Sequence, residues 1–101
     1  MKLWLDDLRN APNGYETARS VQDAICLIER AERNGEPVEI LDLDHDLGEY
    51  ACYGGDAIKL LDYLVENEKF YPIRIHTANP VGRANMERMI NRYWWGNMHK
   101  V

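Results

Sequence analysis

Cysteine is scarce in this chain: Cys26 and Cys52 are the only two among 101 residues. They make no C-x-x-C pair and are too few for a disulfide framework, so both are expected as reduced thiols. An excess of positive charge is also missing. Twelve lysines and arginines against 17 acids leave a net charge of −5. That excludes a protein that coats nucleic acid through a broad basic face. It leaves room for a small phosphorylated ligand or a nucleic-acid terminus held by a metal. No apolar run approaches the ~18 residues of a membrane span. The opening MKLWLDD turns acidic at once and has no apolar core of the secretory kind, so a cytoplasmic protein is expected. Repeats, low-complexity tracts and linkers are absent, and the length fits one domain over residues 1–101.

Short apolar runs alternate with helical patterns. KLWL (2–5) reads as a strand, LRNAPNG (8–14) as a loop rich in turn formers, and YETAR (15–19) as a second strand. Ser20 reads as an N-cap with Asp23 three residues on. Val21, Ala24, Ile25, Ile28 and Ala31 then recur at helical spacing, with Cys26 off that stripe. VEILDLD (38–44) is a third strand, and HDLGEYACYGG (45–55) is a long loop of the kind that carries function. A helix over 56–68, a fourth strand PIRIHT (72–77) and a last helix opened by Asn79–Pro80 complete the chain. The last helix carries Met86, Met89, Ile90, Tyr93 and Trp94 on its stripe. Trp95 falls on the opposite side, and His99 belongs to the tail.

Alternating strands and helices predict an α/β fold with a four-stranded parallel sheet and three helices. Residues 6–14 are too few for a helix, so they cross over as coil. In a parallel sheet all carboxyl ends share one edge, where ligands of such folds bind. Asp6 and Asp7 end the first strand. Asp44, His45 and Asp46 end the third, in the stretch LDLDHDLG. His76 and Thr77 end the fourth, just before the helix start at Asn79.

Two carboxylates ~5 Å apart repel by about 3 kcal/mol at an effective dielectric near ~20. Four or five together would consume much of the about 5–15 kcal/mol that holds a small domain folded. A divalent cation resolves the conflict. Asp6, Asp7 and Asp44 offer the hard oxygen ligands that suit Mg²⁺. Arg9 adds a guanidinium that can bind phosphate, or salt-bridge Asp6 or Asp46. Asp42 lies inside its strand and is expected in a salt bridge or at an exposed edge.

LWLDDLR, ILDLDHDLG and IHTANPVG together resemble the signature segments of the cyclic-phosphate-processing receiver domains. The resemblance implies a three-layer, receiver-like (flavodoxin-like) domain with strand order 2-1-3-4. It implies that Asp6 and Asp7 match the acidic pair that binds Mg²⁺ in receivers. Asp44 matches the phospho-acceptor position and Thr77 the hydroxyl that meets the phosphoryl group. A fifth strand and its lysine have no counterpart here, while Arg9, His45, Asp46 and His76 are additions that resemble hydrolytic equipment.

The resulting expectation is a metal-dependent phosphoester hydrolase acting on a cyclic phosphate, at an RNA end or on a nucleotide derivative, as in RNA repair. Mg²⁺, or Mn²⁺ in its place, is held by Asp6, Asp7 and Asp44. Asp44 or Asp46 acts as base or nucleophile, and His45 or His76 protonates the leaving oxygen. Arg9, Thr77 and Asn79 bind substrate. The alternative is a non-catalytic receiver-like module that binds Mg²⁺ or phosphate and signals. A homodimer through the last helix and the uncovered edge strand is also expected.

Overall fold

The computed structural model describes residues 1–98, without the side chain of Met98; His99 lies outside the described residues. The elements are β1 (Lys2–Leu5), β2 (Tyr15–Ala18), α1 (Val21–Arg33), β3 (Ile40–Leu43), a 3-10 turn at Gly48–Cys52, α2 (Ala57–Glu66), β4 (Ile73–Ile75) and α3 (Pro80–Met98). All strand pairs are parallel, in the order β2-β1-β3-β4. The expected receiver-like α/β architecture is present; β1 matches its run, and the other three strands are one to three residues shorter than theirs. Long loop 45–55 contains the 3-10 turn.

The helices start where their caps stand. The Ser20 hydroxyl accepts the Asp23 N–H at the head of α1. Asn79 Oδ1 accepts the Gly82 N–H at the head of α3. Each satisfies a backbone donor that a helix start leaves open. Cys26 and Cys52 are both exposed free thiols.

Strand side chains alternate between the two faces. Leu3, Leu5, Leu41 and Leu43 point one way and are fully buried. They pack with Ala24 and Ile28 of α1, Leu60, Leu61 and Leu64 of α2, and Met86 and Trp94 of α3 in one core. Each fully buried leucine contributes about 1.5–3 kcal/mol through the water it sheds. Neighbouring helices touch, α1 with α2 and α2 with α3, so all three form one layer on this face.

The other face is covered differently. Its step from β1 to β2 runs opposite to the later steps, and right-handed crossovers therefore put residues 6–14 on the opposite face. With Pro12, Asn13 and Gly14 among nine residues, that segment is coil. The third layer is thus a strap of chain rather than a helix. Lys2, Thr17 and Arg74 are exposed on this side. Among the described residues, no helix is long and apolar enough to cross a membrane.

Candidate functional site

Strand register assembles the site. Trp4 of β1 is level with Asp42 of β3, and Asp42 with Arg74 of β4. Two residues further along each strand come Asp6, Asp44 and His76, on the same side as Trp4, Asp42 and Arg74. The ladder continues to meet them, with Asp44 N–H donating to Leu5 O and His76 N–H to Leu43 O. Chain segments some 30 to 70 residues apart therefore deliver their polar groups to one rim. Asp6, Asp44 and His76 each place a ligand atom within 4.8 Å of the other two.

Asp6 is 1 % exposed and fully bonded. Its Oδ1 accepts the N–H groups of Leu8 and Arg9, both at 2.9 Å. Its Oδ2 accepts Arg9 Nε and lies 3.0 Å from His76 Nε2. Burial raises the Asp6 carboxyl. The backbone N–H groups of Arg9 and Leu8, then His76 and the Arg9 charge, outweigh it and hold the group below its ordinary value. The Asx-type turn that binds Leu8 and Arg9 is what bends the chain away from β1.

His76 is held on three sides. Its Nδ1 lies 2.6 Å from Oδ1 of Asp42, itself only 4 % exposed. Its Nε2 meets Asp6. Both contacts become hydrogen bonds only when both ring nitrogens carry hydrogen. The ring also stacks on Trp4, with centroids 3.8 Å apart and planes within 6°. Of the two settings expected for Asp42, it takes the paired one, buried against His76, and not the exposed edge. Arg9 adds a second clamp, because its Nη2 donates to His76 O while Nε holds Asp6. Of the roles open to Arg9, the salt bridge to Asp6 is formed, and 58 % of the Arg9 side chain still faces solvent.

Asp44 Oδ1 accepts the His45 N–H. Asp7 is half-buried and stands apart from the trio: its Oδ2 lies against Gly48, where an added Cβ would come within 2.6 Å. A second cluster forms beside the first. His45 Nδ1 lies 2.8 Å from Asp46 Oδ1, and Asn79 Nδ2 donates to Asp46 Oδ2 at 3.1 Å. The His45 and Asn79 hydrogen bonds hold Asp46 below its ordinary value, against a smaller effect of burial. Gly82 passes so close to the His45 ring that a Cβ there would lie 2.5 Å from Cγ. Thr77 Oγ1 accepts the Asn79 N–H, which ties the end of β4 to the cap of α3.

Four participants escape a reading of the sequence alone. Arg19 donates to the backbone oxygens of Asp6 and Arg9 and to Asn10 Oδ1, pinning the strap. Nothing in its context marks it. Trp4, by contrast, shares a face with Asp6 two residues on, and that spacing was visible. Gly48 and Gly82 matter through close approach, which only coordinates reveal.

No curated protein and no solved structure matches this chain. A family match does exist, and it spans the strand ends, the strap and most of α3. Residues 1–92 match the cyclic-phosphate processing receiver domain, and the chain belongs to that family.

Proposed function

We propose that this rim hydrolyses a cyclic phosphate, at an RNA end or on a nucleotide derivative, with a divalent cation as cofactor. The observation that carries the reading is the closeness of Asp6, Asp44 and His76, whose ligand atoms lie within 4.8 Å of one another beside Arg9. Membership of a cyclic-phosphate processing family supports it.

The donor set fits a hard cation, and the hydrogen bonds already made rank its ligands. Asp6 already takes four N–H contacts, so it joins a metal only by releasing one, such as His76 Nε2. Asp44 takes only the neighbouring His45 N–H, which makes it the more accessible ligand. Asp44 and Asp6, with Asp7 turning in from Gly48, would hold Mg²⁺ or Mn²⁺. When bound, the ion polarises a phosphate oxygen as a Lewis acid.

The remaining roles belong to the chain. The Arg9 guanidinium and the Thr77 hydroxyl bind phosphate oxygens, and Asn79 holds Asp46 in place. Asp46 turns the His45 ring so that Nε2 is left to protonate the departing sugar oxygen. Asp44 serves as base or nucleophile. His76, locked between two carboxylates, positions Asp6.

The test is turnover of 2′,3′-cyclic nucleotides, linear phosphodiesters and ADP-ribose cyclic phosphates with Mg²⁺ or Mn²⁺. Cyclic-phosphate turnover that Asp44→Asn abolishes is the expected result. Absence of turnover on every substrate, with metal binding intact, overturns it in favour of a binding module.

The pairing of two copies through α3 and β4 belongs to the same proposal. It is supported by β4 standing at the sheet edge and by Trp95 being 68 % exposed. A monomeric mass at high concentration would refute it.

A further inference from the structure

We infer that the cleft between the head of α1 and the 3-10 turn is a nucleobase site, which selects nucleoside-bearing cyclic phosphates; this rests on the reading under Proposed function. The cleft measures about 210 Å³ and is lined by Ser20, Gln22, Asp23, Tyr50 and Tyr53. Clefts that enclose a whole drug-sized ligand run to about 300–1,000 Å³. This one suits a base, with the sugar and phosphate left outside.

Its lining has the chemistry for that ligand. Tyr50 and Tyr53 are 40 % and 53 % exposed, unusual for rings with a core at hand. Their centroids lie 6.5 Å apart at 45°, so a planar base can stack on one ring and meet the edge of the other. Gln22 offers both a donor and an acceptor, and Asp23 an acceptor, to the edge of the base. The backbone donors at the head of α1 are already engaged, Gln22 N–H by Tyr53 O and Asp23 N–H by Ser20 Oγ. The side chains, not an open helix end, therefore define the site.

Its location ties it to the acidic rim. Ser20 follows the carboxyl end of β2, and Tyr50 and Tyr53 follow that of β3. The turn is anchored at both ends. Gly48 abuts Asp7, and Gly54, at φ +111°, abuts Val21 and Gln22. One short, pinned segment thus links an acid of the rim to the wall of the cleft. A base in the cleft would direct its ribose phosphate toward Asp7 and Asp44.

The experiment compares the Tyr50→Ala/Tyr53→Ala double variant with the parent on two substrates. One is a 2′,3′-cyclic nucleoside monophosphate and the other is glycerol 1,2-cyclic phosphate, which has no base. The loss of base stacking should raise KM for the nucleoside about 10- to 100-fold, while KM and kcat for the glycerol compound stay unchanged. Equal changes on both substrates, or none on either, overturn the inference. If the parent turns over neither compound, the reading under Proposed function has failed instead. The base site is then read by isothermal titration calorimetry with nucleoside 3′-monophosphates. Saturable binding that the double variant loses supports the site, and its absence in the parent overturns it.

Discussion

Removing the His76 side chain should expose how the rim is held together. Asp42 is 4 % exposed and its carboxylate faces His76 Nδ1 at 2.6 Å. His76→Ala strands that buried charge, a loss of about 3–5 kcal/mol. Asp6 is less affected, because Arg9 Nε and two backbone N–H groups remain. The lost stack on Trp4 adds about 0.5–1.5 kcal/mol. Against a total of about 5–15 kcal/mol, that brings the domain close to unfolding. Asp42→Asn alone removes one charge-assisted hydrogen bond, about 1.5–3 kcal/mol.

The double variant is the sharper measurement. Without His76, Asp42 is a liability, so replacing it by asparagine should recover stability. The cost of the double variant should therefore fall short of the sum of the two single costs by about 1–3 kcal/mol. Urea unfolding at neutral pH, followed by tryptophan fluorescence, measures all three variants. Trp4 on the His76 ring and the buried Trp94 both report. For His76→Ala the thermal midpoint should fall by roughly 12 °C or more, at about 4–8 °C per kcal/mol. Costs that add within about 0.5 kcal/mol, or a His76→Ala cost below ~1 kcal/mol, would refute this account of the rim.

Two further outcomes follow from the same geometry. Gly82→Ala puts a methyl group within van der Waals overlap of the His45 ring. The displaced ring should lower cyclic-phosphate turnover about 10- to 100-fold, with about 1–3 kcal/mol lost to overpacking; unchanged kcat contradicts the role given to His45. Acid stability is the second. Asp6, Asp46 and Glu32 all lie below their ordinary values in the fold, Glu32 because Lys69 and Tyr71 outweigh the opposing effect of burial. Their contributions are present above the unfolded value of about 4 and are lost as pH falls through the folded values. Tyr71, pushed up to about 12 by burial and then by Glu32, keeps its contribution below the ordinary tyrosine value and loses it only in strong alkali. The thermal midpoint should thus stay level from pH 7 to ~5 and drop below ~4, and Glu32→Gln should shallow that drop. An identical acid profile in Glu32→Gln would count against the Glu32 network.

Strand ends were the legible part of this fold. Apolar runs closed by acids at Asp6 and Asp44, and by His76, announce where strands stop, and alternation with helices announces parallel order. Those two readings place all three residues at one rim. How the rim pairs its charges was legible only in part, because the Arg9–Asp6 pair was among the options open and the His76–Asp42 pair was not. Whether Asp42 points into the interior depends on register with Trp4 and Arg74, residues 38 and 32 positions away. Local sequence carries no such register. Arg9 shows the same limit: Asp6 is three residues from it, but His76 O is 67 away. Asp7 shows a finer one. Adjacent to Asp6 in sequence, it comes to rest against Gly48 and not in the trio.

Charge compensation connects the fold to the chemistry. Repulsion among acids argues for a cation at the rim, yet the protein supplies donors of its own. Arg9 pairs with Asp6, and the His76 ring stands between Asp6 and Asp42. On the proposed reading, internal donors and a bound ion are complementary. Arg9 and His76 hold the buried carboxylates, which must be paired for the domain to fold. Asp44 and Asp7, less tied to the protein's own donors, carry the charge left over. On the proposed reading, such a rim folds on its own donors and takes up a cation at Asp44 and Asp7.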